Sequence, residues 1–209
     1  MKVIVIPVTP YQQNCSLVIC EETNKAAIVD PGGEVERILS AVKNHNVTVD
    51  KIILTHGHLD HVGGAETLAE QLNIPIIGPE KEDAFWLNEM EQQCNMFGFP
   101  KVNSFLPTEW LEEGDIVEVG NIKFSVLHIP GHTPGHVVLF DAASKQLIAG
   151  DILFNGSIGR SDFPRGDHGQ LISGIKTKLL TLPEETLVYP GHGPTTTIGR
   201  EKVSNPHLR

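Results

Sequence analysis

Positive charge is what this chain most lacks. Its 16 Lys and Arg residues face 26 Asp and Glu, a net charge of -10, and no basic cluster interrupts the balance. A nucleic-acid binder needs a positive footprint to release counterions from phosphates, so that class is excluded. Cysteine is sparse too. Cys15, Cys20 and Cys94 make an odd set without a C-x-x-C pair. That excludes a disulfide framework and reads as free thiols in a reducing compartment. No apolar run approaches the ~18 residues of a membrane span. The opening "MKVIVIPV" is too short for a signal-peptide core, is interrupted by Pro7 and lacks a small-residue cleavage site. It reads as a first strand. No internal repeat or low-complexity tract is present either. What remains is a chain of 209 residues, 40% hydrophobic, with apolar positions in short clusters. Those features predict one globular domain over residues 1–209 with a cytoplasmic location.

Residues 2–8, 15–20 and 26–29 are rich in Val and Ile between turn residues, the pattern of strands. After "DPGG", Val35, Ile38, Leu39 and Val42 recur at helical spacing. "KIILT" reads as a short strand, "AETLAEQLN" as a helix entered by a tight turn at Gly63 and Gly64, and "IPIIG" as another strand. An acidic helix is predicted over 80–93 and an irregular connection over 94–110. "DIVEV" and "IKFSVLHI" flank Gly120–Asn121, a hairpin signal. Strands follow at 136–140 and 146–150, then a loop over 155–168, a helix over 169–180, the strand "TLVY" and a short helical end. Each half is several strands followed by alternating helix and strand, with no linker between. The mixture predicts an α/β fold of two sheets packed face to face with helices outside.

What the chain does have is "LTHGHLDHVGG" at residues 54–64, three histidines and an aspartate in six positions after an apolar run. Four ligand-capable side chains at one point are unfavourable without a stabilising partner. Helical metal pairs use i, i+4 spacing, whereas i, i+2 positions share a side in extended chain, so His56 and His58 can grip one ion as the strand ends. Asp60 and His61, in a turning loop, can face a second. Two ions need more ligands, and three further strand ends supply them: His132 in "IPGHTPGH", Asp151 in "LIAGD" and His192 in "VYPGHGP". Functional groups on loops at the ends of strands are how a rigid scaffold presents a site. A carboxylate can bridge two cations, and Asp151 is placed for it.

"THGHLDHVGG", "PGHTPGH", "AGD" and "PGHGP", in this order, resemble the metallo-β-lactamase superfamily, and within it the short bacterial relatives of glyoxalase II. The resemblance implies an αββα sandwich with a binuclear site at one edge. It puts His56, His58 and His132 on one metal and Asp60, His61 and His192 on the other, with Asp151 between them. Asp30 in "VDPGG" matches an acidic position near the metal and orients a ligand. The ions expected are two divalent cations, zinc first, with iron or manganese as alternatives.

The chemistry implied is hydrolysis of an anionic thioester such as S-D-lactoylglutathione by hydroxide drawn from metal-activated water, with Asp60 and Asp151 as catalytic carboxylates. Two divalent cations, two carboxylates and one hydroxide leave the cluster with one positive charge, which favours an anionic substrate. Arg160 and Arg165, in "FNGSIGRSDFPRGDH", are the groups expected to meet a substrate carboxylate. Asp162 stands where the family's glutathione hydrolases carry an aromatic residue. Full-size glyoxalase II continues into a helical glutathione-binding domain, whereas only residues 193–209 follow His192 here, so looser substrate recognition is expected. A mononuclear iron persulfide dioxygenase using His56, His132 and Asp151 is the alternative within the superfamily. A non-catalytic metal-binding protein is the alternative outside enzymes. A β-lactamase is disfavoured by Asp151, where the best-known zinc lactamases carry a cysteine.

Overall fold

The computed structural model describes residues 1–209. Its first sheet grows from the Val- and Ile-rich N-terminal segments. β1 (Lys2–Val8), β2 (Gln13–Cys20) and β3 (Lys25–Val29) run antiparallel in sequence. α1 (Val35–His45) then crosses over to β4 (Thr48–Ile53), which lies parallel to β3. α2 (Leu59–Val62) and α3 (Ala65–Leu72) lead to β5 (Ile76–Ile77), parallel to β4. The strand order is β1-β2-β3-β4-β5.

α4 (Ala84–Asn88) and α5 (Met90–Phe97) precede the second sheet. Its antiparallel meander is β6 (Ile116–Val119), β7 (Ile122–His128), β8 (Val137–Asp141) and β9 (Gln146–Gly150). β6 and β7 are joined by Gly120–Asn121, where Gly120 takes a φ of 57°, the left-handed conformation that a tight hairpin asks of its first residue. A small ribbon of β10 (Leu153–Phe154) and β11 (Ser157–Ile158) follows, then α6 (His168–Gly174). β12 (Leu187–Pro190) returns parallel to β9, and β13 (Thr196–Thr197) edges the sheet before α7 (Ile198–Ser204). The order is β13-β12-β9-β8-β7-β6.

Three apolar layers hold these sheets together. Between them, Val18, Ala27, Val29 and Ile53 from the first sheet meet Val117, Phe124, Val126, Val137 and Leu139 from the second. On the outer face of the first sheet, Leu17, Ile28 and Ile52 pack under Ile38 of α1 and Leu68 of α3. On the outer face of the second, Val138, Leu147 and Val188 pack under Leu171 of α6 and Ile198 of α7. Strands buried on both faces, as β2 and β3 are, read as continuous apolar runs. The arrangement is the expected αββα sandwich of two mixed sheets.

Three local expectations need correction. The helix foreseen over 80–93 is a 3-10 turn at Lys81–Asp83, then α4 and α5 hinged at Glu89, whose φ and ψ of -102° and 21° leave the helical region. Helical structure also runs on to Phe97, because Met90 and Cys94 give α5 its own buried stripe. The pattern over 169–180 is helical but not uniform, since α6 widens into a π-helical turn over Ile175–Leu179. Asp60 and His61 sit on the one-turn helix α2, not on an irregular loop.

Phe124 is fully buried at the centre of the inter-sheet layer. Phe124→Ala is expected to cost about 3–5 kcal/mol of unfolding free energy, read from urea denaturation.

Candidate metal centre

β4 stops at Ile53, and five residues with a bend at Thr55 and an extended His58 follow before α2 begins. Asp151 leaves the end of β9, His192 follows β12, and His132 follows β7. All seven predicted ligand positions meet at this edge. His132 Nε2 lies 3.0 Å from His58 Nδ1 and 3.6 Å from Asp151 Oδ2. His61 Nε2 is 3.4 Å from Asp151 Oδ1 and 4.0 Å from Asp60 Oδ2. His192 Nε2 is 3.2 Å from Asp60 Oδ2 and 3.7 Å from Asp151 Oδ2. His56 and His58 stand edge to face, with ring centroids 4.8 Å apart. Donor atoms sharing an ion at ~2.0–2.2 Å are spaced by about this much.

Four of the five rings, all but His58, are held by their outer side. His61 Nδ1 donates to Asp30 Oδ2 at 2.9 Å, and His132 Nδ1 to the Arg160 carbonyl at 2.7 Å. His192 Nδ1 donates to the Tyr11 carbonyl at 3.2 Å. The Thr55 hydroxyl donates to Asp30 Oδ2 at 2.6 Å, so its oxygen is left to accept from His56 Nδ1, 3.1 Å away. A histidine that donates from one ring nitrogen carries a bare lone pair on the other. The buried Nε2 atoms of His56, His58 and His61 and Asp151 Oδ1 have no hydrogen-bond partner at all. Buried polar atoms are nearly always satisfied, so His56 Nε2, His61 Nε2 and Asp151 Oδ1, unpaired beside the facing nitrogens of His58 and His132, call for a partner the protein itself does not supply. Imidazole and carboxylate donors suit a divalent cation. Three such clusters are present: His56–His58–His132, Asp60–His61–His192, and Asp30 with His56 and His61. In the third, both Asp30 oxygens are already taken by Thr55 and His61. Asp30 itself has a φ of 51°, a strained conformation of the sort that collects at functional sites.

Burial and the neighbouring imidazoles hold His56 and His58 well below the usual histidine range, and burial also lowers His132, so these rings are neutral. Burial opposes charge on His61 and His192 as well. Asp151 and Asp60 outweigh it for both and raise them. Asp151 is buried, but the imidazoles of His61, His132 and His192 hold its carboxyl well below the usual carboxylate range.

The sequence reading missed several supports. Asp83 accepts from the Gly57 amide at 2.7 Å, the Thr133 hydroxyl at 2.8 Å and the Gly135 amide at 2.5 Å, so one buried carboxylate ties the His58 loop to the His132 loop. Burial pushes its carboxyl up to about 7 against those three donors. Gln93 of α5 accepts from the Leu59 amide and donates to the Gly57 carbonyl. His136, which the sequence leaves open between a support for a ligand and a strand-start residue with a backbone partner, accepts from the Asp151 amide through Nε2 at 3.0 Å and stacks its ring on His56. Asn14 donates to the Pro190 and Gly193 carbonyls on either side of His192. Gly191 is needed for close approach, because a Cβ there would overlap Asp151 Oδ1. A buried polar residue alone in an acidic or apolar stretch gives no periodic signal, which is why Asp83 and Asn14 went unread.

A cavity of about 720 Å³ opens over the cluster, with His58, Asp60, His132, Asp151 and His192 in its floor. Arg160 lines it, but its guanidinium is forked onto Asp162 at 2.9 and 2.8 Å. Arg165 lies elsewhere, over the Phe85 ring at 4.5 Å and 3.5 Å from Glu82.

Two outcomes follow. Titrating metal-free protein with Zn²⁺, Mn²⁺ or Fe²⁺ should raise Tm, since binding to the native state alone adds about 2.7 kcal/mol at a hundred times Kd. Asp83→Ala strands three donors and should lower unfolding free energy by about 3 kcal/mol or more in denaturant titration.

A family model for the metallo-beta-lactamase superfamily matches residues 8–192. A curated relative from Haemophilus influenzae, hydroxyacylglutathione hydrolase GloC, is 46% identical over 209 residues, covering 100% of this chain and 98% of its own. The crystal structure of TTHA1623 in a di-iron-bound form superposes with a TM-score of 0.90 at 39% identity, covering 99% of this chain and 100% of that one. The crystal structure of BLEG-1, a B3 metallo-beta-lactamase, superposes with a TM-score of 0.91 at 36% identity, covering 99% of each chain. Fold, donor set and these likenesses together place a divalent-metal site at the sandwich edge: the chain belongs to the metallo-β-lactamase superfamily.

Proposed function

We propose that this protein is a binuclear metal-dependent thioester hydrolase acting on S-D-lactoylglutathione or a related acyl thioester. The observation that carries the reading is the position of Asp151. Its two oxygens face His61 on one side and His132 and His192 on the other, between the two donor clusters. His56, His58 and His132 would hold one cation and Asp60, His61 and His192 the second, with Asp151 shared. Zinc suits this donor set, and iron or manganese does as well. The name of the Haemophilus relative supports the thioester class.

Divalent cations held here supply a Lewis acid for a carbonyl oxygen and lower the pKa of water from about 15.7 to ~7. The chain's own part is positional. Asp30, through Thr55 and directly, fixes the rings of His56 and His61. His136 fixes the Asp151 backbone. Asp60 lines the cavity and is placed to take a proton as water adds to the thioester. The carbon–sulfur bond breaks as a carbon–oxygen bond forms, giving a carboxylate, a thiol and one proton. A thiolate is a weak base, so it leaves without a dedicated protein acid. Arg160 is the cation able to meet a substrate carboxylate, exchanging Asp162 for it; Arg165, over the ring of the cavity-lining Phe85, would have to leave Glu82 to join it.

Metal content and S-D-lactoylglutathione hydrolysis test the reading together. Two metals per chain are expected, with activity abolished in His58→Ala and lowered about 10–100-fold in Asp30→Ala. An active metal-free protein overturns it. So does a single iron with oxygen uptake on a persulfide, or faster cleavage of a β-lactam than of any thioester.

A further inference from the structure

The cavity above the donor cluster is more apolar than a lactoyl group or a glutathione tripeptide requires. Trp86 and Phe163 stand against His58 at 4.6 and 4.9 Å between ring centroids. Across from them Tyr11 stacks on Phe99 at 5.6 Å and meets Phe97 edge-on at 6.3 Å. Phe97 and Phe163 approach at 6.5 Å, so the aromatic wall is continuous. Phe154 flanks His192 at 6.3 Å. Tyr11 and Met96, on the rim, are 49% and 71% exposed, among the few large apolar side chains left open to water. Exposed apolar surface gathered at a concave site marks a place that a ligand covers.

Charge points the same way. Glutathione carries two carboxylates, but Arg160 is the one arginine or lysine lining the cavity, and it is committed to Asp162 and lies over the Phe163 ring at 4.4 Å. Glu89 adds a negative charge to the same wall. Burying carboxylates there without partners is costly. A volume of about 720 Å³ lies within the range of drug-sized pockets, roughly 300–1,000 Å³, so the cavity has room for a bulky group beside the reacting carbonyl.

We infer that the cavity selects thioesters that carry a bulky apolar group, aromatic for preference, beside the reacting carbonyl. This rests on the thioester reading above. The apolar group can belong to the acyl half or to the thiol half, and the substrates below separate the two.

The test compares kcat/KM of the metal-loaded protein on three thioesters: S-D-lactoylglutathione, S-phenylacetylglutathione and the D-lactoyl thioester of benzyl mercaptan. At least one aromatic substrate should exceed S-D-lactoylglutathione by about tenfold or more, the discrimination that hydrophobic pockets achieve. The better one shows which half occupies the wall. Phe163→Ala and the rim change Met96→Glu, at an exposed position where folding is not at stake, should both shrink that ratio. Binding gives an independent readout: in a Trp110→Phe background, where Trp86 is the one tryptophan left, S-phenethylglutathione, a thioether that cannot be hydrolysed, should perturb fluorescence at lower concentration than S-methylglutathione. Lactoyl turnover equal to or above both aromatic substrates overturns the inference and leaves the thioester reading standing. If no thioester is cleaved, the thioester reading fails, and thioether binding still decides whether the wall selects apolar groups. Equal binding of the two thioethers overturns the inference on its own.

Discussion

The structure depends on imidazole rings that are tied down on one side and bare on the other. Asp30, Thr55, the Arg160 carbonyl and the Tyr11 carbonyl each engage an outward ring nitrogen, leaving the inward ones with lone pairs. Assembling such a cluster inside a protein costs desolvation with no return from the protein's own groups. The cost is tolerable because the surrounding layers are well packed. Three apolar layers, with Leu17, Ile28, Phe124 and Val138 fully buried, hold the strand ends rigidly enough to keep the lone pairs converged.

The two sheets have different tasks at that edge. The first delivers the contiguous motif, because β4 is followed by a bend at Thr55, an extended His58 and then a single helical turn. The second delivers isolated residues from β7, β9 and β12. Their agreement in space comes from parallel pairing of β12 with β9, which sets Pro190 beside Gly150 and so brings the loops bearing His192 and Asp151 together.

Much of this was legible in the sequence, for definable reasons. Strands announce themselves as short Val- and Ile-rich runs, and His56, His58, Asp60, His61, His132, Asp151 and His192 each come soon after one. The Gly120–Asn121 hairpin was legible because its turn chemistry is local. The α4–α5 hinge was not, because a break at Glu89 has no glycine or proline to mark it. Nor was the one-turn helix carrying Asp60 and His61, since four residues are too few to show a period. The polar supports, Asp83, Gln93 and Asn14, act across 26 to 179 positions of sequence, and such separations leave no local trace. Phe85 and Trp86 line the cavity, but aromatic residues in an acidic helical stretch read as core packing before they read as a pocket wall.

Gln93 gives the α4–α5 segment a second consequence. The same segment that presents Trp86 and Phe97 to the cavity holds the Leu59 amide and the Gly57 carbonyl, on either side of His58. One glutamine therefore ties the backbone that carries His58 to the helices that present the aromatic wall. Thermodynamic reciprocity then applies: whatever factor an apolar guest changes metal affinity by, the metal changes the guest's affinity by the same factor. A cation's retention would then depend on what the cavity contains as well as on the donor side chains, five of which line its floor.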